Sequence, residues 1–490
     1  MVRRLRIMAV LALAALSGGC DAWSRRGTLE IALAGSARAP SETGVRLSAA
    51  GRTLRAATVE GLVGFDEQGR VIPALADRWL VADDGEAYIF RLRDGTWPDG
   101  SPVNSESAAA ALDRAIAALK GTPLGLDLAP IEQVRVMAGR VIEVNLTRPM
   151  PDLLTLLAQP ELGLTHKGKG WGLLSLAQNG ADVTLDPVPP ERRGLSPVEG
   201  FAGSHRALKV ELEGAGRAVD RFNDGFVDAV LGGDVDSLPL AGIGGLTRGN
   251  VRLDPVIGLF GLLVANNSGF LADSANREAL AMAIDREALI GAFNVGGWQP
   301  TTRIVSPDVE DDLGTVGERW TGTTMEQRRA AAAVQVARWA KAGHAAPLLR
   351  IAIPGGPGST KVFDRLKGDF GAIGIAVKRV GMNDPADLQL IDVVARYGRA
   401  AWFLDELSCE VGRPVCSHDG DSRMAEARAA ADPRQIAALT AEAEAEITAA
   451  NGYIPLARPM RWSLVRGSVS GFAPNPWGWH PLPPLSVIPR

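Results

Sequence analysis

The sequence predicts a large α/β protein that folds into two or three lobes. With 490 residues, the chain is longer than an ordinary domain of about 100–200 residues. Short apolar runs alternate with helical segments between residues 348 and 395, a pattern that favours a parallel-type sheet. Residues 59–146 are instead rich in strands and turns. Because no linker-like stretch separates these regions, we expect each lobe to be built from discontinuous segments.

The composition excludes several classes of protein. Lys and Arg number 52 against 56 Asp and Glu, so the chain lacks the basic excess that is typical of nucleic-acid-binding proteins. Three cysteines are too few for a disulfide scaffold or a four-thiolate zinc site. Beyond the N-terminal segment, no run of 18 apolar residues predicts a membrane-spanning helix.

Alternation and turn residues predict the elements of the first half. Residues 28–34 (TLEIALA) predict a first strand. Apolar and polar side chains alternate in residues 88–92 and again in 141–146, which predicts two half-buried strands with Asp-Gly turns beside the first. A helix over 105–119 is expected to pack on these strands, so we expect a small β-rich lobe here.

Helical periodicity dominates the second half. An apolar stripe predicts a helix over 277–293, with Asp285 as a candidate cap of a second segment. Asp432 before Pro433 predicts a helix N-terminus. Further helices and strands are predicted at residues 326–343, 348–353, 373–380, 388–395 and 433–451. Residues 170–255 show weak periodicity and predict few elements.

The first residues predict export from the cytoplasm. Arg3, Arg4 and Arg6 form a positive region, residues 7–16 are apolar, and residues 17–19 are small. This order is that of a secretory signal peptide, which is too short to be a spanning helix.

Cys20 directly follows the small residues and resembles the lipobox cysteine of bacterial lipoproteins, which takes diacylglycerol and becomes the mature N-terminus. The alternative is plain signal-peptide cleavage beside an incidental cysteine. In those lipoproteins an Asp after the cysteine, here Asp21, is associated with retention at the inner membrane. The resemblance implies a signal peptide over 1–19, a lipidated tether over 20–27 and a periplasmic protein anchored to the inner membrane.

The other two cysteines form a candidate disulfide. If Cys20 carries lipid, Cys409 and Cys416 remain as a pair in an oxidising compartment, with a glycine and a proline between them to turn the chain. Closing so short a loop contributes about 2.5 kcal/mol in the chain-entropy picture. The alternative, a metal site, has only His418 as a nearby further ligand.

Three blocks of motifs follow one another along most of the chain. The first holds Gly-Leu-Val, Pro-x-Leu-Ala-x-x-Trp, Asp-Asp-Gly, Phe-x-Leu-Arg and Asp-Gly-x-Pro, at residues 61–63, 73–79, 83–85, 90–93 and 99–102. The second is Arg-x-Ala-Leu followed by Ala-Ile-Asp-Arg within 277–286, and the third is 453–456 (YIPL) with Gly-Phe at 471–472. In this order the blocks resemble the extracellular solute-binding proteins of family 5, the peptide-, nickel- and glycoside-binding receptors of ABC importers.

The resemblance implies a fold and a function. The fold is a type II periplasmic-binding-protein clamshell with an extra small β-rich domain. The implied lobes are 28–55 with 186–255 and 460–490, then 56–185, then 256–459. The implied protein is a monomer without catalytic activity, cofactor or metal. It captures a peptide-like or other small solute and delivers it to the permease subunits of an ABC transporter in the inner membrane.

Four residues are candidates for contact with the solute. Arg396 and Tyr397 fall where the family's peptide receptors have an Asp-Tyr pair whose Asp meets the peptide amino group. An arginine there suits a carboxylate or phosphate rather than an ammonium group. Trp298 and Trp402 lie in predicted loops and are candidate cleft walls. The alternatives are that Arg396 pairs with a nearby acid, such as one at 392 or 405, and that either tryptophan packs in the core.

Other functions have less support in the sequence. No G-x-S-x-G, H-E-x-x-H or Walker A motif is present, so a secreted hydrolase has little support. The family's central motifs are not recognisable between residues 165 and 220, which keeps open a non-transporting sensor or periplasmic chaperone. Residues 355–360 (GGPGST) have the composition of an anion-binding loop at a helix start, but they lack the lysine of a P-loop, and a simple strand-to-helix turn is the favoured interpretation.

Overall fold

The structure is a computed structural model that describes residues 27–489 except 36–39, 41, 180–181, 243–248, 308 and 310. The predicted signal peptide and Cys20 lie outside the described residues. None of the helices in the described part of the chain is long and apolar enough to cross a membrane.

Strands and helices alternate along the whole described chain. The strands are β1 Thr28–Ala34, β2 Val63–Phe65, β3 Val71–Pro73, β4 Ala76–Val81, β5 Ala87–Leu92, β6 Ile131–Val136, β7 Val141–Leu146, β8 Leu174–Asn179, β9 Asp182–Pro187, β10 Ala207–Glu213, β11 Ala229–Gly233, β12 Val251–Pro255, β13 Gly258–Val264, β14 Leu348–Ala352, β15 Ala376–Val380, β16 Leu388–Val394, β17 Tyr453–Ala457 and β18 Met460–Val465. The α-helices are α1 Ala49–Thr58, α2 Ser105–Ala118, α3 Pro123–Asp127, α4 Leu153–Leu157, α5 Phe201–Ser204, α6 Ala215–Asn223, α7 Ser274–Ala283, α8 Arg286–Gly291, α9 Met325–Lys341, α10 Pro357–Gly371, α11 Ala400–Asp405, α12 His418–Ala429 and α13 Pro433–Ala450.

The first lobe is built on a seven-stranded sheet in the order β12-β18-β11-β1-β10-β9-β8. Strand β1 lies near the centre and pairs in parallel with β10 and β11, while the outer strands are antiparallel. Its inward side chains, such as Ile31, are fully buried, since both faces of a central parallel strand are covered. Helix α1 packs near this sheet, with Leu54 and Ala57 buried.

The second lobe is small and β-rich. Its four-stranded antiparallel sheet has the order β4-β5-β7-β6, and β2 and β3 form a separate hairpin. On β5, Tyr88, Phe90 and Leu92 face the core, as the alternation in the sequence predicted. Helix α2 covers the sheet and starts with a capping box between Asn104 and Ser107.

The third lobe holds a five-stranded mixed sheet, β15-β14-β16-β13-β17. Strands β14, β15 and β16 are parallel, joined through helix α10, whereas β13 runs antiparallel to both β16 and β17. Helix α13 begins at the cap Asp432 with Pro433 in its first turn, and it ends at Asn451 in the left-handed conformation.

Two short links join the first and third lobes. Residues 256–257 connect β12 to β13, and residues 458–459 connect β17 to β18. Strands β12 and β18 pair in the first sheet, and β13 and β17 pair in the third. The chain therefore crosses between these lobes through two adjacent antiparallel links, an arrangement that suits a hinge.

Two local differences from the sequence predictions have physical causes. The helix predicted over 277–293 is two helices, because Asp285 caps α8 by accepting from the Ala288 N–H at 3.0 Å, while its own N–H donates to Asp369. The described part of residues 170–255 contains five strands. Strands β8 and β9 lie in the seven-stranded sheet, so we propose a boundary between the first two lobes nearer residue 173 than 185.

Candidate functional site

A cleft of about 340 Å³ opens where the three lobes meet. The first lobe supplies the end of β1, the first turns of α1, the loop after β11 and residues 477–480. The second lobe supplies Phe65, Gly69, Thr155 and Gln159, and the third supplies the end of β16, residues 392–396. Ligands in open α/β folds bind at the carboxyl ends of strands, so this is the expected place for a solute.

Three arginines line the cleft, and two of them are paired. Arg461 Nη1 lies 2.7 Å from Asp392 Oδ1. Arg396 Nη1 lies 3.1 Å from Glu406 Oε1 and 3.4 Å from Asp127 Oδ2. Among the acids that line the cleft, Asp392 is therefore committed to an arginine, and its burial raises the pKa of its carboxyl group.

Arg52 is the third arginine, on the first turn of α1. Its guanidinium makes no hydrogen bond or ion pair with any residue that the structure describes, although its backbone N–H donates to the Ser48 carbonyl at 2.8 Å. Burial lowers the pKa of the guanidinium; the charge of Glu161 opposes that shift, and the charges of Arg396 and Arg461 add to it. A half-buried guanidinium without a hydrogen-bonded acceptor is costly, and an anionic ligand would supply one.

Asp234, the other acidic residue that lines the cleft, is hydrogen-bonded within its own loop. Asp234 Oδ1 accepts hydrogen bonds from the Ser237 N–H at 3.0 Å and the Ser237 hydroxyl at 2.7 Å. The cleft therefore presents an unpaired cation, whereas each of its two carboxylates already has a donor.

Tyr397, predicted beside Arg396 as a cleft wall, points away from the cleft. It is 7% exposed, and its hydroxyl donates to Asp127 Oδ1 at 2.9 Å. Burial raises the pKa of the Asp127 carboxyl group to about 8, against the opposing charge of Arg396. Because Asp127 belongs to the second lobe, Arg396 and Tyr397 join that lobe to the third, and Arg399 adds an ion pair to Asp152.

The two predicted tryptophans are core residues. Trp402 is 1% exposed and meets Phe403 edge-to-face. Trp298 is 5% exposed, packs against Phe293, and donates from Nε1 to the Arg458 carbonyl at 2.7 Å. Neither lines the cleft; the tryptophans that do are Trp477 and Trp479 in the C-terminal segment.

The cysteine pair and the glycine-rich loop serve structure. Cys409 and Cys416 are joined by a disulfide between α11 and α12, with a Cα–Cα distance of 5.2 Å. His418 lies close enough to complete a three-ligand metal group with both cysteines, but the disulfide occupies their sulfur atoms.

The backbone N–H of Gly356, at the start of α10, donates to Asp236 Oδ1 at 2.9 Å. A carboxylate of the first lobe therefore accepts from this loop, which agrees with the favoured interpretation as a strand-to-helix turn.

Sequence reasoning missed Arg52, Arg461 and the two C-terminal tryptophans. The residues around Arg52 carry no motif, and its cleft position follows only from the packing of α1 beside the ends of β1 and β11. The aromatic content of the C-terminal segment was the available signal for Trp477 and Trp479, since exposed aromatic residues in irregular chain are common ligand walls.

Comparison with known proteins finds similar sequences and similar folds. Residues 70–189 match the family described as bacterial extracellular solute-binding proteins, family 5 Middle. The chain is 27% identical over 281 residues to the probable deoxycholate-binding periplasmic protein YgiS of Escherichia coli, covering 51% of this chain and 52% of that protein. It is 26% identical over 291 residues to the periplasmic murein peptide-binding protein MppA of Escherichia coli, covering 51% of each. The chain thus spans about half the length of the curated relatives it matches.

Solved structures extend the likeness over nearly the whole fold. The Haemophilus influenzae OppA complex with RPPGFSPFR superposes with a TM-score of 0.81 at 18% identity, covering 94% of this chain and 99% of that one. Escherichia coli MppA gives 0.80 at 17% identity, covering 94% and 99%. The unliganded open form of MppA gives only 0.63, covering 94% and 98%. The lobes are thus arranged more like the first MppA structure than like the open form.

These matches confirm the predicted type II periplasmic-binding-protein fold. The relatives are binding proteins by name, and the family profile covers the β-rich lobe that carries the first motif block. The resemblance of this chain to the family 5 bacterial extracellular solute-binding proteins, indicated by its sequence motifs, is confirmed.

Proposed function

We propose that this chain is the solute-binding component of an ABC importer, and that its cleft captures a small solute carrying a carboxylate or another anionic group. The observation that carries the proposal is Arg52, an arginine inside the cleft without a partner among the described residues. A carboxylate fits the planar fork of a guanidinium with two hydrogen bonds, which gives both affinity and orientation.

The surroundings of Arg52 support this class of solute. Arg396 and Arg461 lie close enough to Arg52 to shift its pKa, so an anion there would interact with three cations, against the opposing charge of Glu161. Trp477 and Trp479 offer aromatic surface in the same cleft. The motif resemblance also argues against a free peptide amine, because it puts Arg396 where the peptide receptors have the acid that receives that amine.

Closure of the lobes would complete the site. Arg52 stands on the first lobe and Arg396 on the third, so an anion held between them links solute binding to the closed arrangement. Delivery to permease subunits in the inner membrane would follow from this closed, solute-loaded state. Such a receptor acts as a monomer and needs neither a cofactor nor a catalytic residue.

The test begins with the protein isolated gently from the periplasm, and native mass spectrometry identifies the solute that co-purifies. For that solute, Arg52→Ala is expected to lower the affinity at least about tenfold, equivalent to about 1.4 kcal/mol. Arg46→Ala is the matched control, since Arg46 precedes the same helix but is exposed and outside the cleft. Equal affinity in both variants would remove Arg52 from the site.

The proposed location has its own test. A lipidated Cys20 would hold the receptor on the inner membrane beside its permease, with residues 20–27 as the tether. Wild-type protein is expected in the membrane fraction, and Cys20→Ser is expected in the soluble periplasmic fraction. A Cys20→Ser variant that stays with the membrane, beside a wild type without lipid, would contradict the anchor but leave solute binding untouched.

A further inference from the structure

A second cavity lies between the first and second lobes. It has a volume of about 510 Å³, within the range of small-molecule sites. Its walls are mostly apolar and include Phe65, Leu174, Val188 and Trp479. No lining residue in the described part of the chain belongs to the third lobe, so the first and second lobes alone form its walls. We call it the lateral pocket.

The mouth of the lateral pocket is ringed by exposed apolar side chains. Leu173, Leu195 and Val487 line it and are 36%, 40% and 41% exposed. They come from three separate segments of the chain, so they are neighbours only because the fold brings them there. Exposed apolar groups gathered at the entrance of an apolar cavity mark a place where an apolar ligand enters.

The floor of the lateral pocket carries a buried excess of positive charge. Glu60 is paired with both Arg93 and Arg193, the latter at 3.0 Å between Arg193 Nη1 and Glu60 Oε1. All three side chains are more than nine-tenths buried, and Nε of Arg193 has no hydrogen-bond acceptor. One carboxylate therefore faces two guanidiniums, and one buried N–H donor is free.

The acidic residues at the rim of the lateral pocket either accept hydrogen bonds from neighbouring residues or are exposed to solvent. Asp66 pairs with Arg70 at 2.8 Å and accepts from two backbone N–H groups of its turn. Glu67 accepts from the Gln68 amide at 3.2 Å, and Asp77 is exposed. Solvent screens these rim charges, whereas the floor charges act at low dielectric.

We infer that the lateral pocket is a second binding site and that it takes an amphipathic carboxylate, with the apolar body against the walls and the carboxylate toward the guanidinium of Arg193, which lines the pocket. Such a ligand would neutralise the excess cation of the floor and cover the apolar rim. Neither a purely apolar molecule nor a small anion would do both.

The lateral pocket and the cleft share a wall. Phe65 and Trp479 line both cavities, with their rings edge-to-face at 6.1 Å. A ligand in the lateral pocket therefore touches the far side of the aromatic pair that faces the solute.

The inference is tested on the mature protein by calorimetry with three probes of one chain length, decanoate, decan-1-ol and decylammonium. Decanoate is expected to bind at least about tenfold more tightly than the alcohol, with the ammonium weakest. Arg193→Leu removes the excess cation but leaves Glu60 with Arg93, so it is expected to abolish the preference for decanoate over the alcohol. Tighter binding of the ammonium than of decanoate would overturn the inference, because it would show that the acids near the mouth, and not the arginines of the floor, determine which charge the pocket binds.

Two further variants keep the test decisive if Arg193→Leu fails to fold. Leu195→Asp places a charge at the mouth and is expected to lower decanoate affinity about tenfold, whereas Leu348→Asp changes a more exposed leucine of the third lobe and is expected to have no effect. Arg52→Ala is expected to leave decanoate binding unchanged. Loss of decanoate binding in Arg52→Ala alone would place the probe in the cleft and refute the lateral pocket.

Discussion

The cleft and the lateral pocket lie on opposite sides of the Phe65–Trp479 pair, yet they differ in construction. The cleft takes residues from all three lobes and holds an unpaired arginine; the lateral pocket takes residues from two lobes and is mainly apolar. No described residue of the third lobe lines the second cavity, whereas the first is incomplete without that lobe. The unpaired charge therefore lies in the cavity that all three lobes build, and the larger apolar surface lies in the cavity that two lobes build.

The largest expected effect concerns pH and the contact of Asp127 with Arg396 and Tyr397. Burial raises the pKa of this carboxyl group to about 8, above its unfolded value near 4. The folded protein therefore binds the extra proton between those values, and its free energy of unfolding falls as the pH rises from about 4 to 8, by at most about 1.4 kcal/mol per unit from this group.

Asp127→Asn keeps the neutral form and removes this dependence. Denaturant titrations at pH 5, 7 and 9 are expected to show the variant gaining stability relative to wild type as the pH rises. Decanoate binding is expected to stay level between pH 7 and 9, because Asp127 does not line the lateral pocket. A constant stability difference across the three pH values would show that Asp127 is ionised in the folded protein.

Removal of the disulfide tests whether the cleft depends on the third lobe more than the lateral pocket does. Replacing Cys409 and Cys416 together by serine opens an eight-residue loop and is expected to lower the free energy of unfolding by about 2.5 kcal/mol in the chain-entropy picture. Because the loop lies in the third lobe, solute affinity in the cleft should fall more than decanoate affinity. Equal losses at both cavities would mean that the lobes unfold as one unit.

The smallest effect is expected at the shared wall. Phe65→Leu removes the edge-to-face contact with Trp479, which is worth about 1 kcal/mol beyond its buried area. With a thinner wall, decanoate and the cleft solute are expected to weaken each other's binding a few-fold, measured by titrating one in the presence of the other. Phe201→Leu, a change at the opposite wall of the lateral pocket, is the control and should produce no such coupling.

Much of the fold could be predicted from local sequence. Strand β1 spans the predicted residues, the alternation on β5 matches its buried face, and Asp432 with Pro433 begins α13 as predicted. These features depend on neighbours within a few residues, where periodicity and capping rules act. The break at Asp285 was visible for the same reason.

The site was less predictable, because it depends on contacts between distant segments. Arg396 was found through the family motif, but its partners Asp127 and Glu406 were not. The glycine-rich loop resembles an anion site in its composition. Its acceptor, Asp236, could not be predicted, because that residue lies 120 positions away in the sequence. Loop tryptophans such as Trp402 turned out to be core residues, since a loop in the sequence can pass through the interior at a lobe boundary.

The paired links between the first and third lobes have a mechanical consequence. Each link is two residues long, and the strands on either side are held in their sheets by hydrogen bonds. Two adjacent antiparallel links resist sliding and twisting apart, which leaves rotation about one axis as the easy motion. One angle between the first and third lobes would then describe how far the receptor is closed. One spectroscopic distance, between a label at exposed Val198 and another at exposed Leu348, would follow that angle as solute is added, and a permease in contact with both lobes would have one geometric variable to sense.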